Sequence, residues 1–300
     1  MRVLVSGATG SLGTQILSRL SGMYELGGIS RNSDKIENLG LDCEGFSLDL
    51  VKDDISPALQ GFDVFIHCAA FASAHGKQSN FETNVAMIQN ILPALEKAGI
   101  FTIFISSASI FDDMPRNELQ TNPSIRPKSF YSKSKYDCEK VILESSYKNW
   151  TGLRPRAVIG KGDQTLAPKL NNLIKKKRVM IPGNGKALLD YTTMSDFLES
   201  VQCSIEKQAK GRFYNISSGK PLTFKSMIME YASKVHGVEK SRNIPLLPLR
   251  ILSSIAPNQR INHYSLDQIT KPMRLDISES VRDLGWSPKQ TFSECLEELI

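Results

Sequence analysis

Cysteine is sparse and poorly placed for cross-linking. Cys43, Cys68, Cys138, Cys203 and Cys295 are odd in number, widely spaced and free of any Cys-x-x-Cys pair. That pattern excludes a disulfide framework and offers no zinc spacing. Histidine is scarcer still, and His67, His75, His236 and His263 show no metal-ligand spacing, so no metal is expected. No apolar run reaches the roughly 18 residues of a membrane span. Internal repeats and low-complexity linkers are missing. The chain opens on an apolar, strand-like run at Val3 with no signal-like segment ahead of it, and a reduced, cytoplasmic location is the expectation.

Hydrophobic residues at 41% and charged residues at 23% are ordinary for a soluble globular protein and exclude disordered and fibrous classes. The net charge of +6 implies a weak attraction to anions. The basic run Lys175-Lys176-Lys177-Arg178 reads as the solvated end of a helical stretch. No aromatic residues interleave with it, so nucleic acid is not an expected partner. Phosphates on a cofactor or substrate explain the positive bias equally well.

The first half alternates short β-rich runs with helix-periodic ones. Strands are predicted at Val3–Ser6, Leu26–Ser30, Glu44–Leu48, Val64–Cys68 and Thr102–Ser106. Helices are predicted at Leu12–Leu20, Ser33–Leu39, Phe81–Lys97 and Ser132–Tyr147, where Val85, Ile88, Leu92 and Leu95 recur at helical spacing. Such repeated β-α-β units predict a parallel sheet with helices on both faces, and ligands of such sheets bind beyond the carboxyl ends of the strands. The second half is less regular. Gly152–Pro155 reads as a strand, Ala167–Lys177 as a helix, Ile181–Gly185 as a turn cluster and Arg212–Ser217 as a returning strand. The proline-broken, apolar segment Pro245–Lys271 suits a small lobe over a cleft.

Val3-Leu4-Val5-Ser6-Gly7-Ala8-Thr9-Gly10-Ser11-Leu12-Gly13 is the most informative stretch. A strand runs into a tight glycine turn, and a helix opens at Ser11 or Leu12. Glycines let a pyrophosphate approach the main chain, and the helix N-terminus supplies N–H groups and partial positive charge. The spacing is G-x-x-G-x-x-G, which differs from the G-x-G-x-x-G fingerprint. Gly7, Thr9, Gly10, Ser11, Leu12 and Gly13 are thus candidate dinucleotide-binding residues. The end of the second strand carries Ser30-Arg31-Asn32, with Lys35 behind and Asp34 poorly placed to accept from a ribose. Arginine suits a 2′-phosphate, so NADP is favoured over NAD; stacking of Arg31 on adenine is the other reading.

Beyond the fifth strand come Ser106-Ser107-Ala108-Ser109, and later Tyr131-Ser132-Lys133-Ser134-Lys135. Tyrosine and lysine at i and i+4 share one helix face. Free phenol, with a pKa near 10, exchanges protons poorly at neutral pH, and an adjacent ammonium favours the phenolate. A hydroxyl from the strand end can hold a carbonyl or alcohol oxygen.

With these pieces in place, the chain resembles the extended short-chain dehydrogenase/reductase superfamily, in its NAD-dependent epimerase/dehydratase and 3β-hydroxysteroid dehydrogenase-like group. The matching pieces are Gly7–Gly13, Asp49-Leu50, His67-Cys68-Ala69-Ala70, Thr83-Asn84-Val85, Ser106–Phe111, Tyr131–Lys135, Leu153-Arg154-Pro155 and Leu284-Gly285-Trp286-Ser287-Pro288. The resemblance implies a Rossmann-type doubly wound parallel sheet with a smaller, interwoven C-terminal substrate-binding lobe. Residues 1–155, with return segments near 188–217, form the dinucleotide-binding core; 156–187 and 218–300 form the lobe. It implies that Asp49 and Leu50 border the adenine, that Cys68, Ala69 and Ala70 line the dinucleotide groove, and that Pro155 lies against the nicotinamide. Tyr131 is then the acid/base, Lys135 holds the nicotinamide ribose and tunes the tyrosine, and Ser107 fixes the substrate oxygen, with Ser109 as the runner-up. Homodimerisation through a four-helix interface is also implied.

Departures from the pattern narrow the substrate. The family often has Val-Tyr-Gly where this chain has Ile110-Phe111-Asp112, and Val-Tyr-Gly-Pro where it has Val158-Ile159-Gly160-Lys161. Nucleotide-sugar members usually carry arginine before a late Asp-Tyr pair, whereas Leu188-Leu189 precede Asp190-Tyr191 here. An apolar or sterol-like small molecule fits better than a sugar nucleotide, as does the apolar segment Ile244–Ile255 unless it is only lobe core. The leading expectation is an NAD(P)-dependent oxidoreductase that interconverts a secondary alcohol and a ketone. A nucleotide-sugar epimerase or dehydratase that recycles its cofactor is the alternative, and a non-catalytic dinucleotide-binding protein is the third.

Overall fold

Successive side chains on a strand point to opposite faces, which explains why the core strands read as unbroken apolar runs. Val3 and Val5 pack on one face of the sheet and Leu4 on the other. Strands covered on both faces need apolar residues throughout. The computed structural model describes residues 1–72, 76–112, 125, 127–255 and 263–300. His75 and the middle of the Pro245–Lys271 segment lie outside the described residues.

The elements begin with β1 (Arg2–Ser6), α1 (Ser11–Leu20), β2 (Glu25–Ser30), α2 (Asp34–Glu37) and β3 (Cys43–Ser47). They continue with α3 (Ser56–Leu59), β4 (Val64–His67), α4 (Gln78–Ala98) and β5 (Phe101–Ile105). A 3₁₀ turn at Ala108–Phe111 precedes α5 (Phe130–Glu144) and β6 (Trp150–Pro155). Then come β7 (Val158–Ile159), α6 (Leu166–Asn171), β8 (Ile174–Lys175), β9 (Arg178–Pro182), β10 (Leu188–Leu189) and β11 (Thr192–Thr193). They are followed by α7 (Met194–Lys207), β12 (Arg212–Ile216), β13 (Leu222–Thr223), α8 (Phe224–His236) and β14 (Ser241–Ile244). Helices α9 (Leu246–Ile255), α10 (His263–Thr270), α11 (Ser278–Leu284) and α12 (Phe292–Glu297) complete the described chain.

Seven parallel strands form one sheet in the order β12-β6-β5-β4-β1-β2-β3. One face is buried by Ile16 and Leu17 of α1 and by Phe197 and Val201 of α7. The opposite face is buried by Ile88, Ile91, Leu92 and Leu95 of α4 and by Ile142 of α5. This is a Rossmann-type doubly wound sheet. Strand order reverses between β1 and β4, which opens a crevice at their carboxyl ends.

A third core, with Ile159, Val179, Ile181, Phe224, Ile228 and Phe292, belongs to a smaller lobe. The chain passes between the two repeatedly. Strand β10 pairs with β13 in the lobe, α7 and β12 return to the large sheet, and Leu284 and Trp286 join the same core as Val3 and Val5. No helix among the described residues is long and apolar enough to cross a membrane.

The Ala167–Lys177 stretch, expected as a helix, is helical only to Asn171. Beyond it, β8 and β9 form an antiparallel hairpin in which Ile174 faces Val179. Lys176 and Lys177 turn the chain at φ 49° and 56°. The hairpin buries Val179 and Ile181 in the lobe core while the lysines stay in water, a tertiary gain that overrides local helix preference. The basic run is therefore a solvated hairpin turn and not a helix end.

Trp286 is 1% exposed, and its indole N–H donates to the Asp196 carbonyl at 2.9 Å. Trp286→Ala is expected to cost about 3–5 kcal/mol, read as a lower urea midpoint at unchanged slope. An unchanged midpoint would show that the C-terminal segment is a dispensable appendage.

Candidate active site

The glycine turn is closed by contact, not only by preference. Gly7 has φ 67°, and a Cβ there would lie 2.8 Å from the Ala69 backbone. A Cβ on Gly13 would lie 2.1 Å from the Gly7 carbonyl oxygen. The Gly10 N–H donates to that same oxygen at 2.9 Å. The first bond inside α1 runs from Thr14 N–H to the Gly10 carbonyl, and Gly10 provides no side-chain cap. The N–H groups of Ser11, Leu12 and Gly13 therefore head the helix ahead of its first internal bond, beside exposed Thr9 and Gly10. A cradle that no Cβ could share, at a helix N-terminus, fits a dinucleotide pyrophosphate.

Ser6 and His67 join this turn to the next strand. The Ser6 hydroxyl oxygen accepts the N–H groups of Cys68 at 3.2 Å and Ala69 at 3.4 Å. Its own proton is left for His67 Nδ1 at 3.0 Å, which puts the imidazole proton on Nε2. Burial lowers the imidazole pKa to about 3, with the Lys135 charge adding to the effect, so His67 is a neutral strut. Burial also pushes the Cys68 thiol up to about 11. The Cys68 thiol is thus inert, and Cys68, Ala69 and Ala70 follow directly on the carboxyl end of β4.

Arg31 and Asn32 are exposed just past β2, where the Asn32 side chain accepts the Asp34 N–H at 3.0 Å. Half-buried Asp49 lies past β3, and its carboxylate accepts the Val51 N–H at 3.1 Å. Leu50 is buried. Pro155 is buried at the end of β6. Because the strands are parallel, all of these positions share one edge of the sheet.

Ser129 caps α5, accepting the Ser132 N–H, and Tyr131 follows in the first turn, partly exposed. Lys135 lies one turn on and is buried, with Nζ donating to the Ile105 carbonyl at 2.8 Å. Ile105 ends β5, so this bond sets the Tyr131 helix against the serine-rich strand end. The Ser107 hydroxyl oxygen accepts the Ser109 N–H at 3.2 Å. Ser109 is 6% exposed, and its hydroxyl has no hydrogen-bond partner among the described residues.

Three supports escaped the sequence reading. Asn84 of α4 accepts the Phe71 N–H at 2.7 Å and donates to Ser134 at 3.1 Å, tying α4 to the first turn of α5. Glu139, one turn past Lys135, is held bidentately by Arg154 at 2.8 and 2.6 Å. Ser106 donates to the same carboxylate. Past these lie Asp112, Arg156, Tyr264 and Gln268. Asn84, Ser106 and Arg154 lie in the motif pieces Thr83-Asn84-Val85, Ser106–Phe111 and Leu153-Arg154-Pro155, and Asp112 marks a departure from the pattern, but nothing in the sequence named their partners.

Asp190 is 1% exposed, and burial raises its carboxyl to about 6. Bonds from Leu275 N–H at 2.7 Å and Ser218 at 3.3 Å oppose that rise, as do the charges of Arg156 and Arg274.

The model of the NAD dependent epimerase/dehydratase family matches residues 3–217. The chain is 24% identical to the 4-hydroxy-2-methyl-3-oxo-4-farnesyl-3,4-dihydroquinoline-1-oxide ketoreductase of Stigmatella aurantiaca, over 100% of this chain and 96% of that one. It is 23% identical to a 3-beta-hydroxysteroid dehydrogenase of Mycolicibacterium neoaurum, over 98% of this chain and 90% of that one. The UDP-glucuronic acid 4-epimerase of Bacillus cereus, solved in complex with NAD, shares the fold with a TM-score of 0.79 at 22% identity, covering 99% of this chain and 97% of that one.

Two outcomes are expected. Gly13→Ala should lower stability by about 1–3 kcal/mol and weaken dinucleotide affinity about tenfold or more; fluorescence titration with NADH would expose an unaltered turn. For Asp190, the folded state holds its proton up to about pH 6, while the unfolded carboxyl releases it near pH 4. Its stabilising effect is complete below that lower value and is lost as pH rises through about 6, by roughly 2–3 kcal/mol. Asp190→Asn should flatten this part of the stability profile in urea melts, and an unchanged slope would place the proton elsewhere.

Proposed function

Because the chain belongs to the NAD dependent epimerase/dehydratase family, we propose that it is an oxidoreductase interconverting a secondary alcohol and a ketone. The observation that carries this reading is the lock between Lys135 Nζ and the Ile105 carbonyl, which sets the Tyr131 helix beside Ser107. Gly7, Thr9, Gly10, Ser11, Leu12 and Gly13 hold the pyrophosphate, Asp49 and Leu50 border the adenine, and Cys68, Ala69, Ala70 and Pro155 line the groove. The dinucleotide, when bound, supplies the hydride donor or acceptor. Residues 1–155 with the 188–217 return hold the cofactor, and 156–187 with 218–300 wall the substrate.

Tyr131 gives its phenolic proton to the substrate oxygen in reduction and takes one from the alcohol in oxidation. The Lys135 ammonium, on the same helix face, offers opposite charge to the phenolate formed in turnover and reaches the cofactor ribose. Ser107 already accepts from the Ser109 N–H, which leaves its own O–H to donate to the substrate oxygen. Ser109 is closed into the core, which supports Ser107 as the working hydroxyl. The ketoreductase and steroid dehydrogenase relatives support the alcohol–ketone chemistry. Arg31, with no carboxylate taking its place, supports NADP over NAD; the NAD in the epimerase neighbour weighs the other way.

A nucleotide-sugar epimerase or dehydratase is the second reading, favoured by neighbours solved with UDP-glucose or UDP-glucuronic acid and NAD. Leu189, buried and paired in β10 where such enzymes usually carry charge nearby, weighs against it.

Nucleotide released on denaturation separates the two. Tightly retained dinucleotide supports the internally recycled chemistry, whereas an empty protein that binds added NADPH or NADH supports net oxidoreduction. Tyr131→Phe should bind dinucleotide within about twofold of the parent and lose about a hundredfold or more in kcat/KM on any ketone the parent reduces. Full activity in that variant would remove Tyr131 from the chemistry.

A further inference from the structure

Asp112 departs from the Val-Tyr-Gly pattern, and the alcohol–ketone chemistry makes no use of it. It follows the Ala108–Phe111 turn and is only 3% exposed. A buried carboxylate is tolerable only when its oxygens are hydrogen-bonded. Oδ1 accepts from Gln268 Nε2 at 2.8 Å, and Oδ2 accepts from the Ser129 hydroxyl at 3.3 Å. The other end of that amide, Gln268 Oε1, accepts from Arg156 Nη1 at 2.9 Å. An amide has its donors on nitrogen and its acceptor on oxygen, so a carboxylate on one side and a guanidinium on the other fix its orientation.

The partners of Gln268 and Tyr264 flank the proposed reaction centre, while Asp267 and His263 tie α10 to Arg250 and Ser254 of α9. Asp112 follows the turn that Ser107 caps, Ser129 caps the Tyr131 helix, and Arg156 follows Pro155. Tyr264, one turn before Gln268 on the same face of α10, lies within electrostatic reach of Ser129, Asp112 and Tyr131. Burial raises its phenol above the ordinary range, with the Asp112 charge adding to this, so Tyr264 stays a neutral hydroxyl.

We propose that Asp112 is a latch that determines specificity. Together with Arg156 it captures Gln268 and seats α10 as the roof of the substrate pocket, with Tyr264 as the roof residue beside Tyr131. The proposal rests on the alcohol–ketone reading and deepens it. A roof built of a neutral phenol and an amide, with Arg156 Nη1 committed to Gln268, suits an uncharged, largely apolar carbon skeleton around the reacting oxygen. A sugar diphosphate would need that arginine released.

The test is hydrogen–deuterium exchange over residues 263–270, with steady-state kinetics on two uncharged probes, a 3β-hydroxysteroid with NAD(P) and a long-chain dialkyl ketone with NAD(P)H. Asp112→Ala and Gln268→Ala should each speed exchange in that segment about tenfold or more. The double variant should be no faster than the faster single one. NADH affinity should stay within about twofold, and KM for whichever probe is turned over should rise about tenfold while kcat changes less than about threefold. Gln268→Glu keeps the acceptor for Arg156 but loses the donor to Asp112, and should match Gln268→Ala; Asp112→Asn keeps an acceptor and should recover most of the protection. Unchanged exchange in both single variants, or effects that multiply in the double variant, overturns the latch. Faster exchange at unchanged KM overturns the specificity role. Neither probe turned over by the parent, with exchange responding as expected, overturns the alcohol–ketone reading and leaves the latch standing.

Discussion

The buried pair Glu139–Arg154 is the constraint on which the site depends. The two side chains are 1% and 2% exposed, so both charges have left water at a cost of several kcal/mol each. Geometry offsets that cost. Two roughly parallel N–H···O bonds join them, Ser106 donates to the same carboxylate, and the Phe111 and Phe213 rings lie 5.6 and 5.1 Å from the guanidinium. Apolar side chains of similar volume would fill the space at comparable stability, but they would not specify one register of α5 against β5 and β6. The pair does. Glu139 sits one helical turn from Lys135, so fixing it against β6 also fixes where the Lys135 ammonium meets the Ile105 carbonyl and sets the first turn of α5, with Tyr131, against the end of β5.

A second constraint acts on the other side of the crevice. The α1 turn is packed so tightly that the Gly7 carbonyl occupies the space a side chain at Gly13 would need. Ser6 and His67 then hold the following wall at a set distance from that turn, through one hydroxyl that accepts twice and donates once. Between the glycine turn and the ion pair, the carboxyl ends of β1, β4, β5 and β6 form one rigid rim. Rigidity matters because hydride and proton transfer require reacting atoms held within a few tenths of an ångström of their working positions.

Most of that rim was legible because its signals are local. A glycine turn after a strand, a Tyr-x-x-x-Lys on one helix face and alternating β and α runs each sit within a short window, and each corresponds to a single element in the structure. What escaped was set by distant partners. Nothing near Asp112 points to Gln268, 156 residues away, and nothing near Glu139 announces Arg154 on another strand. The Ala167–Lys177 misreading has the same origin. Leu170, Leu173 and Ile174 recur at helical spacing, but Ile174 pairs with Val179 across a hairpin whose turn only tertiary burial could favour.

This difference in legibility follows the division of labour in the molecule. A dinucleotide presents the same pyrophosphate and ribose to every member of such a family, so the backbone motif that meets it is short and recurrent. The substrate end has no common ligand, and its walls come from wherever the second half of the chain crosses the crevice. Here that crossing is marked by side chains the family pattern does not anticipate. A carboxylate replaces the usual glycine at 112, and leucines at 188 and 189 stand where nucleotide-sugar enzymes carry charge. Both changes withdraw positive charge from the substrate, one by engaging Arg156 through Gln268 and the other by omitting an arginine. The two alterations act in the same electrostatic direction, and together they support the uncharged ligand proposed above.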